Sequence, residues 1–298
     1  MHVVVFGEIL WDLVGENKYI GGAPFNFAAH LAQMGNNVNF ISSVGADQLG
    51  EAARAEMNRL NLSTNYMQIT EKNPTGTVKV ILSDGIPEYE TATDVAWDHI
   101  AFQKESLQNC DEQSILYFGT LAQRSAMNRN TLDELVSTGN WKHIFCDLNL
   151  RQNYYDSSII VKSLLQSTVV KMNDEEARII SRTMLHKELD RHNFSHVLCE
   201  KYNILVLIIT YGSDGVYIYT PAHDDFVSAN KVEVKDTIGA GDSFSAGFLH
   251  AYNHGYSLRE SAVFANTIAE FVVTRSGAVP LYSPEILQKV SGITDSVI

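Results

Sequence analysis

Short apolar runs along the chain alternate with segments whose apolar residues recur at helical spacing. Apolar runs over residues 2–6, 37–44, 114–118, 143–148, 168–172 and 204–210 predict β-strands. Helical spacing between and after them predicts helices over 25–34, 48–60, 128–137, 157–165, 174–183, 243–252 and 259–273. The run Ile204-Leu205-Val206-Leu207-Ile208-Ile209 is continuously apolar, as a strand covered on both faces must be. Strand–helix alternation of this kind implies an α/β fold. Its central sheet is mostly parallel, with right-handed crossovers and helices on both faces. Ligands of such sheets sit at the carboxyl ends of the strands. Asp12, Asp147, Asn173, Thr210 and Asp242 follow strands or open the next element, so they are expected to converge on one edge.

Some segments break the alternation. Residues 11–20 and 75–93 read as β-hairpins, with Asp84-Gly85 a strong turn between alternating runs. Residues 185–202 are charged with helical character and suggest no chemistry. Residues 231–234 read as a strand leading into a glycine-rich turn.

Composition narrows the possibilities. The 298 residues can bury a sizeable core. With 22 Lys+Arg against 35 Asp+Glu the net charge is −13, which argues against nucleic-acid binding. An anionic nucleotide is still admissible, because a local pocket and Mg²⁺ can reverse the field. The three widely spaced cysteines, Cys110, Cys146 and Cys199, fit reduced thiols and a cytoplasmic location, and they have no metal-ligand spacing. Residues 1–7 read as a first strand without a basic leader, and no run suits a membrane span.

The candidate chemistry centres on Asp236-Thr237-Ile238-Gly239-Ala240-Gly241-Asp242. Gly239, Ala240 and Gly241 carry almost no side chain, so their N–H groups can approach an anion at a helix N-terminus. Asp242 adds a carboxylate beside that anion site. This arrangement suits a base that takes a proton from a nucleophile attacking a bound phosphoryl group. Taken alone, the turn also suits a capped helix start. A second glycine cluster, Gly21-Gly22-Ala23-Pro24-Phe25-Asn26, opens a helix that ends at Gly35, and Gly45 closes the next strand.

These two motifs lie more than 200 residues apart. Together with Ala246-Gly247, they make the chain resemble the ribokinase-like (PfkB-type) carbohydrate kinases over essentially its whole length. Gly7-Glu8-Ile9-Leu10-Trp11-Asp12, Gly119-Thr120-Leu121-Ala122-Gln123-Arg124 and Asp147-Leu148-Asn149-Leu150-Arg151 resemble fructokinase-like members. The resemblance implies a single kinase domain over residues 1–298, with lid segments at about 11–20 and 75–93. It assigns sugar binding to Asp12, Gly22, Asn26, Asn149 and Arg151. If the chain stays extended, Asp147, Asn149 and Arg151 share one side. Asn173-Asp174-Glu175-Glu176 matches an N-x-x-E element whose Glu, here Glu176, helps hold Mg²⁺ through water. Thr210-Tyr211-Gly212-Ser213-Asp214-Gly215 resembles a turn that cradles ATP phosphates, through Thr210, Gly212 and Gly215. Asn266 would lie near the adenosine, and Asn173 also belongs to the nucleotide side.

The family carries a monovalent cation, bound by carbonyls near Asp236, Ile238 and 275–277. Leu281 stands where ribokinase offers a hydroxyl, which weighs against K⁺ here. The resemblance also admits a homodimer through the lid. It implies an ATP-dependent sugar kinase, with fructose preferred and ribose, 2-keto-3-deoxygluconate and nucleoside-like acceptors open. A non-catalytic sugar or nucleotide sensor on the same fold would be expected to lose Asp242 or the glycines. A dinucleotide-binding oxidoreductase would need G-x-G-x-x-G after the first strand, where Gly7-Glu8-Ile9-Leu10 stands instead.

Overall fold

The computed structural model describes residues 1–83 and 86–295, so the expected Asp84-Gly85 turn lies outside it. The chain begins with β1 (His2–Phe6), the hairpin β2 (Leu10–Val14) and β3 (Asn17–Gly21), and α1 (Ala23–Gln33). Next come β4 (Asn37–Gly45), α2 (Gln48–Arg59), β5 (Met67–Thr70), β6 (Gly76–Ser83) and β7 (Ile86–Thr91). The middle alternates regularly: β8 (Ile115–Gly119), α3 (Ala126–Thr138), β9 (His143–Asp147), α4 (Ser157–Gln166), β10 (Val169–Asn173) and α5 (Asp174–Met184). Then follow α6 (Arg191–Tyr202), β11 (Val206–Thr210), β12 (Gly215–Thr220), β13 (His223–Ser228), α7 (Ala240–Asn253), α8 (Leu258–Val273) and α9 (Pro284–Asp295).

The large sheet has nine strands in the order β13-β12-β11-β10-β9-β8-β1-β4-β5. Neighbours from β11 to β5 run parallel, and β12 and β13 add an antiparallel edge. Alternation along β1 explains why helices cover both faces. Val3 and Val5 pack with α1, α2, α7 and α8, while Val4 and Phe6 pack with α3, α4, α5 and α6. Phe27 stacks on Tyr117 with ring centroids 3.6 Å apart, which pins α1 over the sheet centre. Full burial of a side chain of this size contributes about 1.5–3 kcal/mol. A second sheet, β3-β2-β6-β7, consists of two antiparallel hairpins joined by a parallel β2–β6 pairing. No helix among the described residues is long and apolar enough to cross a membrane.

Besides adding β5 and α9, which were not anticipated, the structure differs from the pattern-based expectations in three further places. Residues 231–234 form no strand: the sheet already ends at β13, and Val234 is 56% exposed. Instead, the N–H groups of Lys235 and Asp236 donate to the Val273 carbonyl. The β12–β13 hairpin was not anticipated, although Val216-Tyr217-Ile218-Tyr219 has the β-branched and aromatic composition of a strand. Within 185–202 only Arg191 onward is helical, because Asp190 caps α6 by accepting from His192 and Asn193 N–H.

Candidate active site

The glycine turn and α7 form the centre of the site. Gly239 is the N-cap of α7 at φ 77°, and a Cβ there would lie 2.7 Å from Ala278. Glycine is therefore required by both the backbone and the close approach. Asp236 ties the turn together: Oδ1 accepts from Ile238 N–H at 3.0 Å and Oδ2 from Gly277 N–H at 3.0 Å. Ala240 N–H turns inward to the Thr237 carbonyl at 3.3 Å. The N–H groups of Gly241 and Asp242, next in the first turn, have no intrahelical acceptor and give this helix end its affinity for anions.

Asp242 lies in that first turn, and its Oδ2 accepts from Asn26 Nδ2 at 2.8 Å. Burial raises its pKa to about 6, and Asp147 pushes the same way; Asn26, Lys171 and Arg151 oppose the shift. Below the turn, Lys171 Nζ lies 3.1 Å from both oxygens of Asp147. Asp147 Oδ2 also accepts from Ser245 Oγ at 2.8 Å and from Tyr117 OH at 3.4 Å. A Cβ on Gly241 would stand 2.9 Å from Lys171 Nζ, so the ammonium packs directly under the turn. Burial works against the charge of Lys171, yet Asp147, Asp242 and Glu176 hold its pKa above the ordinary value.

On the expected sugar side, Asp12 sits in β2 of the small sheet, not at the end of β1. Burial raises its pKa to about 6, opposed by Arg151. Gly22, at φ 106°, leaves no room for a side chain, since a Cβ would lie 2.5 Å from the Glu8 carbonyl oxygen. Asn26 is buried in α1, and its Oδ1 has no hydrogen-bond partner among the described residues. The exposed Arg151 influences Asp12, Asp242 and Glu8 electrostatically.

The chain does not stay extended after Asp147, which corrects the expectation that Asp147, Asn149 and Arg151 share a side. Strand β9 ends at Asp147, Asn149 has φ 46°, and Leu150 N–H donates to Glu176 Oε1 at 2.7 Å. Thr120 Oγ1 donates to the Leu148 carbonyl, holding the bend from the other side.

The expected nucleotide side lies at the ends of β10 and β11, where Asn173 pairs in register with Thr210. Asn173 Oδ1 accepts from Glu176 N–H and Glu176 Oε2 accepts from Asn173 N–H, each at 2.8 Å. This is a reciprocal cap for α5. Both oxygens of Glu176 are therefore engaged by backbone N–H groups. Gly212, at φ 56°, opens a single 3₁₀ turn, and Gly215, at φ 131°, follows it. Asn266 on α8 donates to the Ser228 carbonyl at 3.4 Å.

No three His, Cys, Asp or Glu residues among the described ones cluster as a metal cage. Mg²⁺ needs no such cage: it keeps several waters and is held largely by phosphates with one or two carboxylates. An engaged Glu176 is compatible with contact through water, so the donor set fits Mg²⁺ arriving with a nucleotide.

Sequence reasoning missed Glu8, Lys171, Ser245 and Tyr117. Lys171 did leave a signal, as a lone cation inside the apolar run 168–172 of a doubly covered strand.

The geometry agrees with what the chain is similar to. A family model described as pfkB family carbohydrate kinase matches residues 3–285. The chain belongs to that family. Among curated relatives, a fructokinase of Salmonella typhimurium is 25% identical over 297 residues, covering 93% of this chain and 94% of that protein. A 5-dehydro-2-deoxygluconokinase of Listeria monocytogenes is 23% identical, covering 94% of this chain and 89% of that protein. Among solved structures, the ATP-bound fructokinase of Xylella fastidiosa superposes with a TM-score of 0.86 at 22% identity, covering 99% of each chain. As a member of this family the protein is a sugar kinase, and its relatives act on more than one sugar.

Proposed function

We propose that this protein transfers the γ-phosphoryl group of ATP to a primary hydroxyl of a neutral sugar, with fructose the preferred acceptor. The observation that carries this reading is Asp242, held by Asn26 at the mouth of the glycine turn. With a pKa of about 6 it is largely ionised at neutral pH and can take the hydroxyl proton. The sugar oxygen then bonds to the γ-phosphorus, the bond to the β-phosphate oxygen breaks, and ADP leaves. The unengaged N–H groups at the end of the Gly239–Gly241 turn, those of Gly241 and Asp242, with the Lys171 ammonium beneath them, stabilise the charge on the transferring group.

Asp12, Asn26, Gly22, Asn149 and Arg151 form the sugar side on this reading. Asn173, Thr210, Gly212, Gly215 and Asn266 form the nucleotide side. Bound Mg²⁺ would neutralise phosphate charge, with Glu176 holding its water. The small sheet of β2, β3, β6 and β7 would act as a lid that excludes competing water. Leu281 is 57% exposed and its side chain offers no oxygen, which weighs against activation by potassium.

The preference for fructose rests on the hydrogen-bonding groups that Asp12 and Asn26 bring to the site and on the fructokinases among the relatives. A sugar-acid site needs a cation to spare, and Arg151 already serves Asp12, Asp242 and Glu8. The test is a phosphorylation screen with ATP and Mg²⁺ across fructose, ribose, 2-keto-3-deoxygluconate and nucleosides. Phosphorylation of another of these acceptors in preference to fructose would overturn the substrate reading.

A further inference from the structure

Glu8 lies between β1 and β2 and is 1% exposed. Its Oε2 has no hydrogen-bond partner among the described residues. The same holds for Asn26 Oδ1, on the side chain whose Nδ2 donates to Asp242. Buried acceptors without donors are rare and costly, so a pair of them calls for a physical cause. Both belong to the start of α1. Ala23 N–H lies against the Glu8 carboxyl, and Gly22 packs on the Glu8 carbonyl. Asn26 sits one turn into the helix, where side chains lean toward the N-terminus. A carboxylic acid proton on Glu8 removes a charge that burial disfavours and turns Oε2 into a donor at the helix start where Asn26 Oδ1 is an acceptor without one.

We propose that Glu8 is a positioning residue: as a neutral acid it orients Asn26, and through Asn26 it holds Asp242 ready as the ionised base. The working site is then the singly protonated Glu8–Asp242 pair. This rests on the proposed role of Asp242. The groups facing Glu8 are Asp242 on α7, Arg151 after β9 and Tyr117 on β8. Those facing Asp242 are Asp147 on β9, Lys171 on β10 and Arg151, with the uncharged Asn26 on α1. Burial raises Glu8 to about 7 and the charge of Asp242 adds to the shift, against the N–H groups of Glu8 and Ala23 and the charge of Arg151. Two such neighbours release their protons in two steps that belong to the pair. Loss of the first proton creates the base. Loss of the second places like charges side by side and removes the donor to Asn26.

The structure therefore implies a bell-shaped dependence of kcat on pH whose alkaline fall comes from Glu8. Glu8→Gln keeps the shape and a donor but cannot ionise. It should displace the alkaline fall upward by at least about one pH unit. Glu8→Ala should lower kcat on the order of tenfold at all pH values, with little change in KM for ATP. An unchanged alkaline limb in Glu8→Gln overturns the proposal. A second readout is independent of turnover: infrared difference spectra of the whole protein, with and without ¹³C-labelled glutamate. A protonated-carboxyl band present below neutral pH, lost above it and missing in Glu8→Gln supports the role. A fully ionised Glu8 throughout that range overturns it, whether or not the protein phosphorylates a sugar.

Discussion

Asn26 Nδ2 donates to Asp242 Oδ2 at 2.8 Å, joining residues 216 positions apart in the chain. The contact ties the first helix of the molecule to the helix that follows the glycine turn. It explains why two glycine motifs at opposite ends of the sequence form one site. The bond stabilises the ionised carboxylate, while burial and Asp147 favour the neutral acid.

Replacing Asp242 with Asn tests the base directly. The amide keeps the size but cannot take the hydroxyl proton. A kcat loss of roughly 10²–10⁴-fold is expected, with sugar affinity retained. Near-wild-type turnover in a folded Asp242→Asn protein would sink the assignment.

Much of this site was legible in the sequence because its backbone demands are local. Gly22 and Gly239 occupy positions where positive φ and close packing leave glycine alone. Continuous apolar runs gave the buried strands, since a doubly covered strand has no polar face to alternate. The Asp147–Lys171 pair was not legible, because pairing across β9 and β10 is a matter of register between strands separated by a helix. The bend at Asn149 was hidden for a related reason. It is held by Glu176 and Thr120, both distant in sequence, and local alternation carries no trace of them. Glu8 was passed over as part of a motif, since its significance depends on burial that only the folded chain reveals.

Lys171 and Asp147 should behave as a buried ion pair. Lys171→Met leaves Asp147 with only neutral donors, from Ser245 and Tyr117. A destabilisation of about 3–5 kcal/mol is expected from the uncompensated charge, seen in chemical denaturation. The double variant Lys171→Met with Asp147→Asn should recover part of that loss and still turn over slowly. If the single variant is as stable as wild type, the pair does not hold the turn.

Gly241→Val is a steric test of the same region. Its Cβ would press on Lys171 Nζ at 2.9 Å, and the branched side chain would shield the turn's N–H groups. The end of a flexible lysine can shift, so stability should change modestly while turnover and ATP affinity fall together. Retention of both in calorimetry and kinetics would exclude the turn as the phosphate site.

The raised carboxyl groups make a prediction about stability against pH. Glu8 goes from an ordinary 4.5 to about 7 in the folded protein, so the folded state binds its proton more tightly than the unfolded state. Stability must then fall as pH rises through that window. Asp242 and Asp12, raised from 3.8 to about 6, act in the same direction at slightly lower pH. Glu8→Gln removes one of these contributions. Above pH 7 the variant should gain on the order of 3 kcal/mol relative to its difference from wild type near pH 4. Parallel denaturation curves for the two proteins at both pH values would contradict the burial of an ionisable Glu8.

On the proposed reading, substrate choice turns on Asp12. It lies in the small sheet, packed so closely on Gly21 that a Cβ there would sit 2.6 Å from Oδ2. Its carboxyl is largely ionised at neutral pH and can accept from two adjacent hydroxyls of one sugar. A ketohexose offers more hydroxyls than a pentose, and a polar site discriminates best when its buried groups are all satisfied. Fructose should therefore give the highest kcat/KM, ahead of ribose and 2-keto-3-deoxygluconate. Asp12→Ala should lower kcat/KM for fructose by roughly 10²-fold, corresponding to lost hydrogen bonds to a charged acceptor. The loss for ribose should be smaller if ribose makes fewer of those bonds. A site that prefers ribose or the sugar acid, or an Asp12→Ala protein with unchanged kcat/KM for fructose, would show that recognition lies elsewhere in the pocket.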